Sequence, residues 1–125
     1  MSLVLDAGAL IALERGERPS WIRLKGAHTR GEVPLTSAAV LGQVWRGGPR
    51  QGRLSQALTG IDVRSIDEDL GRAAGMLLGA ARMSDLIDAS LVLIAHDGDE
   101  IITSDLEDLR PLAAASGRHV ELVRP

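Results

Sequence analysis

Several residue types and patterns are missing from this sequence, and each absence excludes a class of function. There is no cysteine, which excludes disulfides, thiolate zinc sites and cysteine nucleophiles. The three histidines, His28, His96 and His119, lie far apart with no metal-ligand spacing. No apolar run approaches the roughly 20 residues that span a bilayer, and the start of the chain lacks a signal-peptide pattern. We therefore expect a cytoplasmic protein without membrane association.

Positive charge is scarce as well. The 125-residue chain has a net charge of -3 and a single lysine, Lys25, so no general basic field indicates nucleic-acid binding. Arginines do crowd one segment, at Arg46, Arg50 and Arg53, where local charge can still attract phosphate. Hydrophobic residues make up 45% and charged residues 25% of the chain, which is typical of a globular protein. At this length we expect one domain, residues 1–125.

Short apolar strands alternate with helical segments along the chain. We predict strands over residues 3–5, 33–35, 61–66, 100–103 and 119–123. We predict helices over residues 7–16, 21–25, 38–46, 50–58, 67–81 and 88–95, and a last one that begins at Ser104 or Asp105. Strands separated in this way favour a parallel sheet with helices on both faces, because parallel neighbours need crossover connections. The predicted fold class is α/β.

Two aspartates directly follow predicted strands. Asp6 comes after Leu3–Leu5, and Asp105 comes after the strand that ends at Thr103. Each is equally well explained as the N-cap of the helix that follows it. In open parallel sheets, however, ligands bind beyond the carboxyl ends of the strands, which is where both residues fall.

A third aspartate lies in an apolar helical segment. Asp88 stands within LIDASLVLIA, where an unpaired buried carboxylate would cost several kcal/mol. A buried hydrogen bond at a helix start is one explanation, and a bound ligand is the other. Asp85 lies three residues earlier, so it can share a helix face with Asp88 or interact with the helix dipole.

Carboxylates gathered at one sheet edge repel one another unless a cation joins them. Oxygen ligands without histidine or cysteine suit Mg²⁺ or Mn²⁺. Such an ion can activate a water molecule and neutralise the charge that develops in phosphodiester hydrolysis. The residues themselves therefore predict a metal site formed by Asp6, Asp88 and Asp105, with Asp85 beside them.

Four segments in order, VLDAGALIAL, TSAAVLGQVWRGG, SDLIDASLVLIA and IITSDLEDL, resemble PIN-domain proteins of the VapC toxin type. The resemblance spans nearly the whole chain. It implies a compact α/β endoribonuclease that uses Mg²⁺ or Mn²⁺ held by an acidic quartet, with Asp6, Asp88 and Asp105 as its first, third and fourth members. The second member is normally a glutamate, and Gln43 stands at that position. Asp85 and Asp108 are candidates to replace the missing carboxylate.

The resemblance also implies partners: an RNA substrate, an antitoxin protein whose peptide covers the acidic cleft, and a second copy of the chain. We predict a homodimer through exposed apolar surface at Leu10 to Leu13 and around Trp21. Arg46, Arg50 and Arg53 are predicted to follow the RNA backbone, or else to form a solvated face or an antitoxin contact. The two tryptophans, Trp21 and Trp45, either stack on bases or pack in the core or an interface.

The hydroxyls of Thr103 and Ser104 are secondary candidates, either for orienting a metal-bound water or phosphate or for capping a helix.

Two other functions compete with a toxin ribonuclease. A degenerate PIN domain would bind RNA or a protein without cleaving RNA, and Gln43 is the main support for it. A phosphoacceptor signalling domain also places aspartates at strand ends, but the residues after Asp6 are Ala7 and Gly8 rather than acids, and no lysine follows the last predicted strands. Metal binding separates the first alternative from a nuclease, and labelling of Asp6 by an acyl phosphate tests the second.

Overall fold

The computed structural model describes residues 1–125. Five parallel strands form one sheet in the order β3-β2-β1-β4-β5. The strands are β1 (Leu3–Leu5), β2 (Leu35–Ser37), β3 (Asp62–Arg64), β4 (Glu100–Ile102) and β5 (Glu121–Val123). The predicted α/β class with a parallel sheet is confirmed.

Seven α-helices connect the strands. They are α1 (Ala7–Glu14), α2 (Arg18–Thr29), α3 (Ala38–Val44), α4 (Gly52–Leu58), α5 (Glu68–Ala81), α6 (Leu86–Ile94) and α7 (Leu106–Ser116), with a short 3₁₀ turn at Pro49–Gln51. Helix α1 contacts α2, α3 and α4, whereas α5, α6 and α7 contact one another. Right-handed crossovers explain this division, because the chain moves outward from β1 to β3 and then returns to β4 and β5.

The core is formed where the sheet meets the two helical layers. One cluster of 25 buried apolar residues includes all of β1, Ile101 and Ile102 of β4, and four residues of α6. In α6, Leu91 and Val92 are fully buried, as expected for a central helix. No helix of the structure is both long enough and apolar enough to cross a membrane.

Several predicted boundaries need correction. The second strand lies at Leu35–Ser37 rather than at 33–35, because Pro34 has no N–H to donate to a neighbouring strand. Helix α2 covers Arg18–Thr29 and is far longer than the predicted 21–25. Helix α3 ends at Val44 rather than at Arg46, since Trp45 already has an extended backbone with ψ of 131°.

The surface expected for a homodimer is also partly wrong. Leu10 and Leu13 are 0% and 2% exposed, because α1 is covered by α2, α3 and α4 on its outer side. The apolar side chains that do reach solvent include Ile22 on α2, Trp45 after α3 and Met76 on α5. Dimerisation therefore cannot use the α1 leucines.

Candidate active site at the carboxyl ends of β1 and β4

Asp6 is held at the switch point of the sheet. β1 pairs with both β2 and β4, and the chain leaves these central strands in opposite directions, which places a crevice beyond their carboxyl ends. The Asp6 carboxylate accepts a hydrogen bond from the Ala7 N–H at 2.8 Å, so it is the N-cap of α1. Its other oxygen accepts from the Thr103 hydroxyl at 2.6 Å. The side chain is 4% exposed. The capping explanation is thus correct, and it leaves lone pairs for a further ligand because each carboxylate oxygen has two.

Thr103 joins the ends of the two central strands. Its hydroxyl donates to Asp6 and accepts from the N–H of Asp105 at 2.9 Å. The residue is completely buried, and its hydroxyl is used in both directions within the protein. A role in orienting a metal-bound water or phosphate stays a prediction. Its role in the structure is to fix Asp105 relative to Asp6.

Asp105 occupies the cap position of α7 without acting as a side-chain cap. It precedes Leu106 with φ of -108° and ψ of 57°, and its carboxylate forms no capping hydrogen bond. The residue is exposed. Asp105 therefore has a free carboxylate at the sheet edge.

Asp88 enters the same region from α6. It lies in the first turn of that helix and is 9% exposed. Asp85 is the N-cap of α6, and its carboxylate accepts from the Asp88 N–H at 3.0 Å. Asp85 therefore precedes the helix rather than lying on it, and it orients the turn that carries Asp88. No hydrogen bond or cation neutralises the Asp88 carboxylate itself.

The electrostatics show that these aspartates share one region. Burial, followed in order of effect by the neighbouring Asp85, Asp6, Asp105 and Asp108, raises the pKa of Asp88 to about 7. Burial also raises the pKa of Asp6, against the hydrogen bonds from Thr103 and Ala7, with smaller contributions from Asp105 and Asp85. Desolvation and like-charge repulsion both disfavour the ionised carboxylates. Five carboxylates thus interact at one end of the sheet.

The surroundings of Asp105 form a small open cleft. Asp105 and Asp108 line about 180 Å³ together with Ser104, Glu107 and Arg124. Ser104 is exposed, and its hydroxyl lies against Gly8, where a β-carbon would overlap it. Glycine at position 8 thus permits the start of α1 to approach the end of β4. Sequence analysis did not single out Gly8, although a glycine in the first turn of a helix is an unusual choice.

Gln43 lies in α3 with an exposed side chain that forms no hydrogen bond. Only its backbone is engaged, since its carbonyl accepts from the Arg46 guanidinium at 3.3 Å. An amide supplies no negative charge, so Gln43 adds nothing to the repulsion among the aspartates. Its predicted position beside the metal stays a prediction.

The three predicted RNA-binding arginines do not form one surface at the aspartates. Arg46 lies beyond the far end of α3, where its guanidinium donates to the carbonyls of Trp45, Gly42 and Gln43. Arg50 is exposed in the 3₁₀ turn. Arg53 lies on α4 against Gly16, at the end of α1 opposite Asp6. None of the three arginines lines the cleft at Asp105, and Arg53 alone lines a groove at the far end of α1.

Gln51 holds the turn after α3 and was missed by sequence analysis. Its amide nitrogen donates to Glu14 at 2.6 Å and to the Val44 carbonyl at 2.9 Å, and its amide oxygen accepts from the N–H groups of Arg46 and Gly47. The residue is 6% exposed. A polar residue after Gly-Gly-Pro gives no signal that it will be buried.

The donor set fits a hard divalent cation in its chemistry. All five groups are carboxylates, the ligand type that Mg²⁺ and Mn²⁺ prefer, and the neighbouring carboxylates contribute to the raised pKa of Asp6 and of Asp88. No three acidic or histidine side chains converge in the geometry of a preformed metal site. A metal ion could therefore bind only after side chains rotate toward one another. The candidates are the exposed Asp105 and Asp88, whose carboxylate has no hydrogen-bond partner.

Comparisons with known proteins support the fold. No family model matches the chain, and no curated protein matches it. Among solved structures, it is similar to a chain of the VapBC2 complex of Rickettsia felis, crystallised with a DNA fragment from the promoter of its own genes. The TM-score is 0.69 over 98% of each chain, at 12% sequence identity. This likeness shows a shared PIN-like α/β fold.

Proposed function

We propose that the protein is a Mg²⁺- or Mn²⁺-dependent endoribonuclease and the toxin of a toxin-antitoxin pair. The observation that carries the proposal is the Asp88 carboxylate. Asp88 is only 9% exposed, its carboxylate has no donor or cation within the protein although its oxygens still reach solvent, and four other carboxylates raise its pKa. A structural aspartate in such a place would be expected to have a donor or a cation. The likeness to a VapBC2 chain supports the toxin-antitoxin assignment, and the resemblance of the four sequence segments points the same way.

Asp6, Asp88 and Asp105 are proposed to hold the metal, with Asp85 or Asp108 as a further carboxylate. The bound ion would supply a nucleophilic hydroxide and neutralise charge on the phosphodiester. Thr103 keeps Asp6 and Asp105 in register through its two hydrogen bonds. Asp85 keeps the first turn of α6, and with it Asp88, at the sheet edge.

The partners follow from the same proposal. An antitoxin segment would cover the acidic end of the sheet and exclude RNA, and the exposed Ile22 or Trp45 offers apolar contact for an antitoxin or a second copy of the chain. Sedimentation of the isolated protein at micromolar concentration tests the homodimer. A pure monomer there would contradict it.

A PIN-like protein that binds without cleaving is the second candidate, because Gln43 replaces a carboxylate and no metal geometry is preformed. Incubating the purified protein with RNA in Mg²⁺, Mn²⁺ or EDTA separates the two. We expect cleavage in either metal only, and its loss in Asp6→Asn, Asp88→Asn and Asp105→Asn, each by at least about a hundredfold. Asp69→Asn is the matched control, since Asp69 is an exposed carboxylate on α5. If the parent cleaves no RNA with either metal but binds it, the second candidate is correct.

A further inference from the structure

A pocket of basic residues lies at the turn between α1 and α2, at the opposite end of α1 from Asp6. It is an open groove of about 380 Å³ lined by Gly16, Arg18, Trp21, Lys25, Arg53 and Gln56. Three of these residues are cations and none is a carboxylate. In a chain with a net charge of -3, this is a local reversal of sign.

The cations of the pocket have no partners within the protein. Arg18, Lys25 and Arg53 form no ion pair, and their side chains form no hydrogen bond. Glu17 directly precedes Arg18 but neither lines the groove nor pairs with it. Most other buried or half-buried polar groups of this chain are satisfied, with Arg23 Nη1 as the sole buried side-chain exception. The free donors of the pocket therefore remain available to an anion.

The position of Arg53 depends on a particular glycine. Gly16 adopts a φ of 71°, and a β-carbon there would lie 2.9 Å from Arg53 Nε. Helix α4 packs on α1 and brings the guanidinium directly over the α1–α2 turn. Glycine at position 16 thus leaves room for the Arg53 side chain beside the α1–α2 turn.

Trp21 gives the pocket an aromatic wall. Its indole N–H donates to the Leu13 carbonyl at 3.0 Å, which fixes the orientation of the ring. The residue is half-buried, with one part packed on the core and the rest lining the groove. A fixed aromatic ring among unpaired cations suits a nucleobase beside its phosphates, because every base can stack and the cations follow the backbone.

Positive charge continues from this pocket along α2. Arg18 also lines an adjoining wider groove with Arg23 and Arg30, in which Glu100 is the one carboxylate. Between Arg18 and Thr29, α2 contains no acidic residue. A strand of several nucleotides could therefore follow one face of this helix.

We propose that the pocket at the α1–α2 turn binds the backbone and one base of single-stranded RNA, as a contact separate from the acidic site. This rests on the proposed function in naming RNA as the ligand. Helix α1 (Ala7–Glu14) has eight residues, so Asp6 at its N-cap and Gly16 just beyond its end are about 15 Å apart along its axis, at 1.5 Å per residue.

Binding is measured by fluorescence anisotropy of a labelled oligouridylate of about a dozen nucleotides. EDTA is present, so the result does not depend on metal or cleavage. Arg18→Gln, Lys25→Gln and Arg53→Gln should each weaken binding roughly tenfold at low salt and reduce the salt slope by about 0.7. Arg72→Gln, which removes an equal charge from an exposed ion pair on α5, should leave both unchanged.

Stacking is tested by Trp21→Leu, for which we expect roughly tenfold weaker binding, and by Trp21→Phe, which should keep most of the affinity. Circular dichroism checks that each variant is folded. Binding by the three charge variants that equals binding by Arg72→Gln would overturn the proposal. A competition experiment gives a second contradicting outcome. If polyglutamate of equal total charge displaces the oligouridylate equally well from the parent and from Trp21→Leu, the pocket is a site for an acidic peptide rather than for RNA.

Measuring binding in EDTA and cleavage with metal separately distinguishes the basic pocket from the nuclease site. Asp88→Asn should bind the oligouridylate as the parent does in EDTA, even though it is expected not to cleave RNA. A parent that binds through the pocket but cleaves nothing contradicts the nuclease and leaves the pocket supported. If the parent cleaves RNA and the pocket variants bind the oligouridylate normally, the nuclease is supported and the pocket is contradicted.

Discussion

The two ends of α1 carry opposite charge and are built in different ways. At its start, Asp6 is 4% exposed and fixed by two hydrogen bonds, and the repelling Asp88 lies nearby. Beyond its end, Arg18, Lys25 and Arg53 lie on an open surface without partners. Both arrangements agree with the helix dipole, which favours anions at the start and cations at the end. Only the acidic end costs stability, because only there are like charges buried.

This contrast shows where a ligand changes the protein most. A cation at the acidic end would relieve desolvation and repulsion, so its binding should be coupled to folding and to pH. An anion at the basic end replaces water around exposed cations, so its binding should depend mainly on salt. Substitutions at one end should accordingly leave the other end unchanged.

The largest effect on stability is expected from Thr103→Val. It removes a charge-assisted hydrogen bond to the buried Asp6 and leaves the part-buried Asp105 N–H without its acceptor, which should cost about 3 kcal/mol. Urea denaturation measures this loss. Thr103→Ser retains the hydroxyl and serves as the control. Oligouridylate binding in EDTA should be the same for both variants, and a parallel loss of it would show that the two ends are not independent.

The second prediction concerns pH. The native pKa of Asp88 is about 7, above its unfolded value of about 4. The native state therefore binds more protons between these values, and the stability of the metal-free protein should fall as pH rises from about 4 to about 7. After allowance for partial solvent screening, the loss is about 2 kcal/mol.

Asp88→Asn should remove most of that dependence and should be more stable than the parent at pH 8 without metal. Asp69→Asn, the control, should retain the parental profile. Chemical denaturation at several pH values measures both. A parental stability that rises over the same range would contradict the repulsion described at the acidic end.

The smallest effect is expected from Gln43→Glu. A carboxylate at this position should tighten Mg²⁺ or Mn²⁺ binding by roughly tenfold, about 1.4 kcal/mol, and raise cleavage at limiting metal. The double variant with Asp85→Asn tests whether Asp85 already supplies the missing charge. Unchanged or weaker binding in Gln43→Glu would show that position 43 is not the electrostatic defect of the site.

Sequence reasoning located the acidic end better than the basic end for a physical reason. Asp6 and Asp105 follow short apolar strands, and the topology of a parallel sheet places such residues at one edge. Asp88 was visible because an acid in an apolar helix is unusual. The basic pocket takes residues from α2 and α4, and no local sequence pattern predicts that these helices pack on α1. The same limit hid Gln51 and the approach of Ser104 to Gly8.

Local side-chain roles were the other limit. Thr103 was only a secondary candidate from the sequence, because its two hydrogen bonds depend on the pairing of β1 with β4. Arg46 was assigned to RNA from its neighbours in sequence, whereas the structure directs it to the carbonyls that end α3. Spacing predicts which edge of the sheet a residue reaches, and only packing decides which atoms it contacts.

The central claim is that the aspartates at the acidic end bind a divalent metal, and calorimetric titration of Mn²⁺ tests it most directly. The parent and Asp69→Asn should bind Mn²⁺ at pH 8, with affinity at least about tenfold weaker at pH 5.5, where Asp88 is protonated. Asp88→Asn should lose this binding. Equal Mn²⁺ binding by Asp88→Asn and the parent at pH 8, or no binding by the parent, would contradict the account.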